Sequence, residues 1–228
     1  MAQYLREDHS IVESYKNMRT SLMVNKNIKT ILVTSSEMNE GKTTVVSNLA
    51  KCFSELDDKK ILLIDCDLRK PSIHKQFELD NETGLIDAIE NGTFKEYIKK
   101  SDDLDIFTTG KKTKKPAELL ESNLMKNFIE EIKEYYDYIF IDSPPVSRVN
   151  DACIIAKYID GTIIVSSSNE VDIDMAKLTK KRLKKVNANF IGVILNKFKE
   201  EDNIYHNYYG YYDEDEKRSK FKFKFKRK

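Results

Sequence analysis

The segment TILVTSSEMNEGKTTVVSNLAKCF, from Thr30 to Phe53, constrains this chain more than any other. A β-branched apolar run passes through a polar loop into a stretch whose Val45, Val46, Leu49, Ala50 and Phe53 fall on one side of a helix, spanning about Thr44 to Leu56. The loop closes on Gly41, Lys42 and Thr43, the core of a Walker A motif in the strand, loop, helix setting that the motif requires. In such a loop, backbone N–H groups and the helix N-terminus turn positive dipoles toward phosphate oxygens. Lys42 adds a point charge and the Thr43 hydroxyl is a ligand for a hard cation. ATP with Mg2+ is the ligand this set fits, and Glu40, Gly41, Lys42, Thr43 and Thr44 are the expected nucleotide-binding residues. Ser36 stands where the usual first glycine would be.

Further β-rich runs alternate with helix-like stretches: ILLID from Ile61, LDIFTT from Leu104, YIFID from Tyr138, GTIIVSS from Gly161 and FIGVILN from Phe190. That alternation predicts an α/β fold with a mostly parallel central sheet and helices on both faces, P-loop NTPase-like. Strands apolar on successive residues are those covered on both sides. Ser10 and Glu13 form a capping box, opening a helix over 10–24 that carries Ile11, Tyr15, Met18 and Leu22. Pro116 sits at the first turn of a helix reading AELLESNLMKNFIEEIKEYY. The sequence has 228 residues, 40% of them hydrophobic, enough for one sizeable core. The reading therefore gives one domain over 1–198 and a tail over 199–228 in which no apolar period survives.

Each of two later strands ends in an aspartate, Asp65 and Asp142, and the carboxyl edge of a parallel sheet is where ligands bind. Both Asp residues, with Thr43, are the expected metal ligands, direct or through water. The first strand runs on as DCDLRKP; in an extended segment Asp65 and Asp67 would point to the same side. One could then serve the metal while Asp67 accepts a proton from an incoming hydroxyl, which makes Lys42, Asp65 and Asp67 the catalytic candidates. Asn196, ending a late strand, is either a contact to the nucleotide base, by analogy with related P-loop folds, or a turn-forming residue.

These stretches resemble one family, the bacterial tyrosine kinases of capsule and exopolysaccharide synthesis, P-loop proteins unrelated to the eukaryotic protein kinases. SSEMNEGKTT resembles the family's Walker A, ILLIDCDLRKP its Walker A′ and YIFIDSPP its Walker B. ESYKNMRTSL, KPAELLES and the terminal tyrosine cluster also have counterparts, so the likeness spans nearly the whole chain. The resemblance implies an ATP-dependent protein tyrosine autokinase: Lys42 and Thr43 on nucleotide and Mg2+, Asp65 and Asp142 supporting the metal, Asp67 as base. It also implies a ring-like homo-oligomer with one subunit's tail in a neighbour's site. The activator it implies is the cytoplasmic segment of a transmembrane polysaccharide co-polymerase, which would hold the kinase at the inner face of the cell membrane. The family's helix motif of Glu, two residues, Arg, two residues, Arg is here Glu13, Lys16 and Arg19. This stripe is either an oligomer contact or a solvated helix face, and Lys16 cannot reproduce the planar two-pronged contact of arginine. Asn39 replaces a glycine common in the family's loop.

Tyr205, Tyr208, Tyr209, Tyr211 and Tyr212 stand in the segment without a core pattern, as phosphoacceptors or as an aromatic contact surface. The terminal FKFKFKRK would either lie on an anionic membrane surface or neutralise the preceding DEDE. Lys plus Arg (39) nearly cancels Asp plus Glu (38), so no nucleic-acid partner is expected. Cys52, Cys66 and Cys153 suit neither a zinc site nor a disulfide framework, and fit a reducing cytoplasm. No apolar run approaches the ~18 residues of a membrane span, and the start lacks a signal-peptide core, which leaves peripheral contact with the membrane. The competing reading on the same fold is a partitioning or division-site ATPase. That group carries K-G-G-x-G-K-T, whereas Glu37, Met38 and Asn39 occupy the first positions here.

Overall fold

A computed structural model describes residues 9–168 and 173–197. Seven strands form one sheet: β1 (Thr30–Ser35), β2 (Ile61–Asp65), β3 (Lys99–Ser101), β4 (Leu104–Phe107), β5 (Tyr138–Asp142), β6 (Gly161–Ser167) and β7 (Phe190–Asn196), in the order β3-β4-β2-β5-β1-β6-β7. All neighbours pair in parallel except β3, which runs antiparallel to β4. The mostly parallel α/β sheet expected from the sequence is therefore present, with β3 as an addition. β3 is three residues long and joined to β4 through Asp102, whose φ is 54°.

The successive apolar residues of the strands divide between two cores. Ile31, Val33, Ile61, Leu63, Phe140, Ile163 and Val165 face one side of the sheet, where α1 (His9–Met23), α2 (Lys42–Ser54) and the short α3 (Ile73–Gln76) bring Tyr15, Val45, Val46, Leu49, Phe53 and Ile73. Leu32, Leu62, Ile64, Ile139, Ile141 and Ile164 face the other. That side is covered by α4 (Leu85–Asn91), α6 (Asn123–Ile132), α7 (Asp151–Ile155) and α8 (Ile173–Lys185). Period-2 geometry thus explains the uninterrupted hydrophobicity: each face of the pleat has its own helices to bury against.

Three sequence expectations shift. The described part of α1 already includes His9, so Ser10 lies inside the helix and not at its N-cap. α2 begins at Lys42, two residues ahead of Thr44, so Lys42 and Thr43 stand on its first turn. The long helix after Pro116 is two, α5 (Pro116–Glu121) and α6. Ser122 turns the chain to φ −64°, ψ 155° and caps α6 by accepting a hydrogen bond from Met125 N at 3.1 Å.

What fixes the P-loop helix is packing. Phe53 is fully buried and meets Tyr138 and Phe140 of β5 edge to face, with ring centroids 4.7 and 5.0 Å apart. Asn48 of α2 donates to the buried Tyr15 hydroxyl at 3.3 Å, tying α1 to the same layer. Arg19 reaches the Cys52 carbonyl in the last turn of α2, where the helix dipole favours a cation, and lies 3.8 Å from Glu55.

Candidate active site

Strands β1, β2 and β5 deliver their C-terminal ends to one edge, with Asp65 and Asp142 side by side as Cα partners. The loop after β1 sits directly above. Two positions need a left-handed backbone, Asn39 (φ 64°) and Gly41 (φ 87°). Asparagine is among the few side-chain-bearing residues that adopt this region readily, so Asn39 does the conformational work of the family's glycine. At Gly41 a Cβ would run into the Asn196 side chain, and the left-handed φ strains any other residue.

The chemistry converges on Lys42. Its Nζ lies 3.3 Å from Asp142 Oδ1, 3.6 Å from Asp67 Oδ2 and 3.2 Å from the Thr43 hydroxyl. Thr43 donates to Asp142 Oδ2 at 2.7 Å, and Ser72 donates to Thr43 Oγ1 at 3.2 Å. Burial works against the Lys42 charge, but Asp142 and Asp67 outweigh it and hold the ammonium above its ordinary pKa. Burial pushes the Asp142 carboxyl up, with Lys42 and Thr43 pulling against it. The ammonium stands charged at the foot of a cleft of about 860 Å³, lined also by Thr44, Arg69, Lys70, Arg148 and Lys197. A hydroxyl and a carboxylate oxygen in contact beside an ammonium match the hard donors and charge that Mg2+ and a polyphosphate need.

Asp65 has a different place from that expected. The two carboxylates of DCD do not point together: Asp67 Oδ2 faces Lys42, while Asp65 is turned into its own loop. Its Oδ1 accepts from Asp67 N at 3.1 Å and its Oδ2 from Ser72 N and Ile73 N, both at 3.0 Å. Burial, with the neighbouring Asp142 charge, pushes the Asp65 carboxyl up to about 7 despite those amides. Asp67 is held in turn through Oδ1, which accepts from Lys70 N at 3.0 Å.

Glu40 is buried and its carboxylate closes the P-loop, accepting from Glu37 N at 2.6 Å and Ser167 N at 3.3 Å. What it can offer the cleft is its backbone. Asn196 donates to the Glu40 carbonyl at 2.9 Å, bracing the loop from the end of β7, a role that neither sequence alternative described. The residues after Walker B brace it from the other side: Pro144 O accepts from Thr34, Val146 N donates to Ser35 O, and Ser147 N donates to Ser36 O. Ser36 Oγ itself is buried without a hydrogen-bond partner among the described residues. Asp151, which sequence reasoning missed, binds Arg69 with two hydrogen bonds, 2.8 and 3.1 Å, locking the DCDLRKP loop to α7. Its signal was an acidic residue nine positions after Asp142, which has no meaning until the fold brings Arg69 alongside.

The N-terminal stripe divides. Glu13 and Lys16 pair at 2.8 Å on the exposed face, whereas Arg19 is engaged within the chain by Cys52 O and Glu55. Tyr205, Tyr208, Tyr209, Tyr211, Tyr212 and the FKFKFKRK segment lie outside the described residues. Among the described residues no helix is long and apolar enough to cross a membrane.

Comparison with known proteins gives a consistent picture. The AAA domain family model matches residues 28–190. Tyrosine-protein kinase YwqD of Bacillus subtilis is 35% identical over 206 residues, covering 88% of this chain and 85% of the relative. Tyrosine-protein kinase CpsD of Streptococcus agalactiae is 30% identical, covering 94% of this chain and 95% of its own. The solved kinase domain of Escherichia coli tyrosine kinase ETK superposes with a TM-score of 0.77 at 29% identity, over 81% of this chain and 74% of that one.

Proposed function

This chain belongs to the bacterial tyrosine-protein kinases, and from that premise we propose that it transfers the γ-phosphate of ATP to the tyrosines of its own tail segment, Tyr205 to Tyr212. The observation that carries the reading is the Lys42 ammonium set between Asp67 and Asp142, at 3.6 and 3.3 Å, on the first turn of α2. Lys42 and the loop amides hold the β- and γ-phosphates, which leaves Asp67 facing the point from which an acceptor hydroxyl approaches. The tyrosine oxygen bonds to the γ-phosphorus, the bond to the β,γ-bridging oxygen breaks, ADP leaves, and the phenolic proton passes to Asp67. With a free carboxylate pKa near 3.9 against ~10 for tyrosine, Asp67 orients the hydroxyl and takes the proton late, in keeping with a loose transition state. Thr43 and Asp142 would hold Mg2+, with Asp65 adding its charge from the next strand, and the ion would supply neutralisation of the phosphate oxygens.

The same reading places the kinase in capsular or extracellular polysaccharide synthesis, as a ring-like homo-oligomer at the inner face of the membrane, switched on by the cytoplasmic segment of a membrane-embedded activator. The exposed Glu13 and Lys16 are the part of the α1 stripe available to a neighbour. Glu37, at the place of the signature lysine of partitioning ATPases, lies 3.5 Å from Arg148 instead of pointing a cation at phosphate. Incubating the pure chain with labelled ATP tests the proposal: label on tyrosine supports it, while release of free phosphate without labelled protein refutes it in favour of a switch ATPase. Mixing active chain with its Lys42→Met form and mapping phosphosites then shows whether transfer runs between molecules.

A further inference from the structure

Next to the nucleotide cleft runs a second groove of about 680 Å³, and Arg148 and Val149 line both. Its walls come from the end of α5, the 147–150 loop, α7 and the C-terminal half of α8. The lining cations are Arg148, Lys157, Arg182 and Lys185; the lining acid is Glu121. Lys157 pairs with Glu121 at 3.2 Å and Arg148 with Glu37 at 3.5 Å, while Arg182 donates to a neutral acceptor, the Val146 carbonyl, at 2.8 Å. Arg182 and Lys185 therefore bring positive charge that Glu121 and Glu37 do not cancel. The Cys153 thiol reports this field: burial pushes it up, and Arg182 and Lys157 pull it back. Arg148 is shared with the nucleotide cleft, whereas Lys157, Arg182 and Lys185 lie outside its lining.

The tyrosine cluster is followed without a break by Asp213, Glu214, Asp215 and Glu216. Those residues reach about 13 Å from Tyr212 when extended, at ~3.3 Å each. With Tyr211 or Tyr212 in the cleft, the four carboxylates are therefore within reach of the shared Arg148 wall. We propose that this basic groove docks the acidic segment Asp213–Glu216, whichever copy of the chain supplies the tail, and so selects tyrosines that precede a run of acids. The proposal rests on the reading of Tyr205 to Tyr212 as acceptors. It adds a substrate class, acidic-flanked tyrosine, to that reading.

The test uses full-length chain whose own segment is neutralised (Asp213→Asn, Glu214→Gln, Asp215→Asn, Glu216→Gln), so that the groove is free. A fluorescent peptide spanning Gly210 to Lys217 is titrated by anisotropy at low salt, beside a peptide with the four acids neutralised. Two exposed ion pairs, each worth a factor of about 1.4 to 5, give an expected ~2- to 25-fold tighter Kd for the acidic peptide. The preference should vanish in Arg182→Gln/Lys185→Gln, which removes the two uncancelled charges, and fade as salt shortens the Debye length. Initial rates of tyrosine transfer to a Lys42→Met chain bearing either tail should show the same ratio in KM with kcat unchanged. Equal Kd for the two peptides, or an acidic preference that survives in the double variant, overturns the docking site even if both tails are phosphorylated. Preferential binding with no transfer to either tail keeps the docking site and overturns the kinase reading of the tail.

Discussion

Replacing Asp65 with asparagine separates charge from shape at the centre of the site. In the wild type the folded-state pKa, about 7, lies above the unfolded value of 3.8, so the folded protein holds this proton longer than the unfolded chain does. The sign is then fixed: stability falls as pH rises from the lower value through the higher and is level above it. At 1.36 kcal/mol per unit the whole shift amounts to roughly 4 kcal/mol, of which about 2 to 3 kcal/mol falls between pH 5 and pH 8. Asparagine cannot ionise and lacks this slope. It does bring an NH2 group against backbone amides that now donate to both oxygens, a pH-independent loss of about 1–3 kcal/mol. Urea unfolding of both proteins in EDTA at pH 5, 6, 7 and 8 should therefore show Asp65→Asn clearly weaker at pH 5 and the gap closing or reversing by pH 8. Asp142 is also pushed up and its charge acts on Asp65, so the difference between the curves reports the two neighbouring carboxyls as a pair, with Asp65 the member that is removed. Two parallel curves, with a gap constant to within about 0.5 kcal/mol, would refute the account of Asp65 as a buried carboxyl that ionises at a cost.

Lys42→Met and Asp67→Asn should both abolish tyrosine transfer, but calorimetry should show nucleotide affinity lost in the first and largely kept in the second, since the role proposed for Asp67 is toward the acceptor; loss of affinity in both would contradict the division of roles. Ser36→Ala removes a buried hydroxyl that meets no partner among the described residues, so the unfolding free energy in urea should be unchanged or raised by up to about 1 kcal/mol, and a loss instead would mean the hydroxyl is satisfied. Phe53→Ala should cost about 3–5 kcal/mol by chemical denaturation, because the ring fills the space between α2 and β5. Gly41→Ala should lower nucleotide affinity while the sheet's circular dichroism persists, through strain at φ 87° and the clash with Asn196; wild-type affinity would show that the loop relaxes without cost.

Six of the seven strands and the two-faced burial were legible from runs of β-branched residues, because each run is longer than the noise of local composition. β3 was not: Lys99, Lys100 and Ser101 carry no apolar residue to announce a strand, and only pairing with Leu104 to Ile106 makes them one. The break at Ser122 was hidden by an apolar pattern that continues across it, although a serine three residues ahead of Met125 was a cap in waiting. In the site, the meeting of Lys42, Thr43, Asp67 and Asp142 followed from motif and topology together. The work of Asp65, Asn196 and Asp151 did not, since each acts on a backbone or side chain whose position depends on the folded loop. Arg19 likewise turned inward to α2, which its helical spacing alone could not show.

The strand order has a consequence for how the chain is made. β1 precedes both its neighbours in sequence, and the Asn196 brace on the P-loop joins residues 156 apart. As the polypeptide leaves the ribosome, β1 emerges with both edges open and waits for β5 and then β6 to arrive on either side, while the phosphate loop waits longest, for the last residue of β7. Pairings this distant in sequence are slow to close and leave sticky edges in the interim. A kinase built in this order completes the bracing of its phosphate loop only when synthesis has passed the final strand, so a stalled or shortened chain ending before Asn196 lacks the hydrogen bond that holds the Glu40 carbonyl.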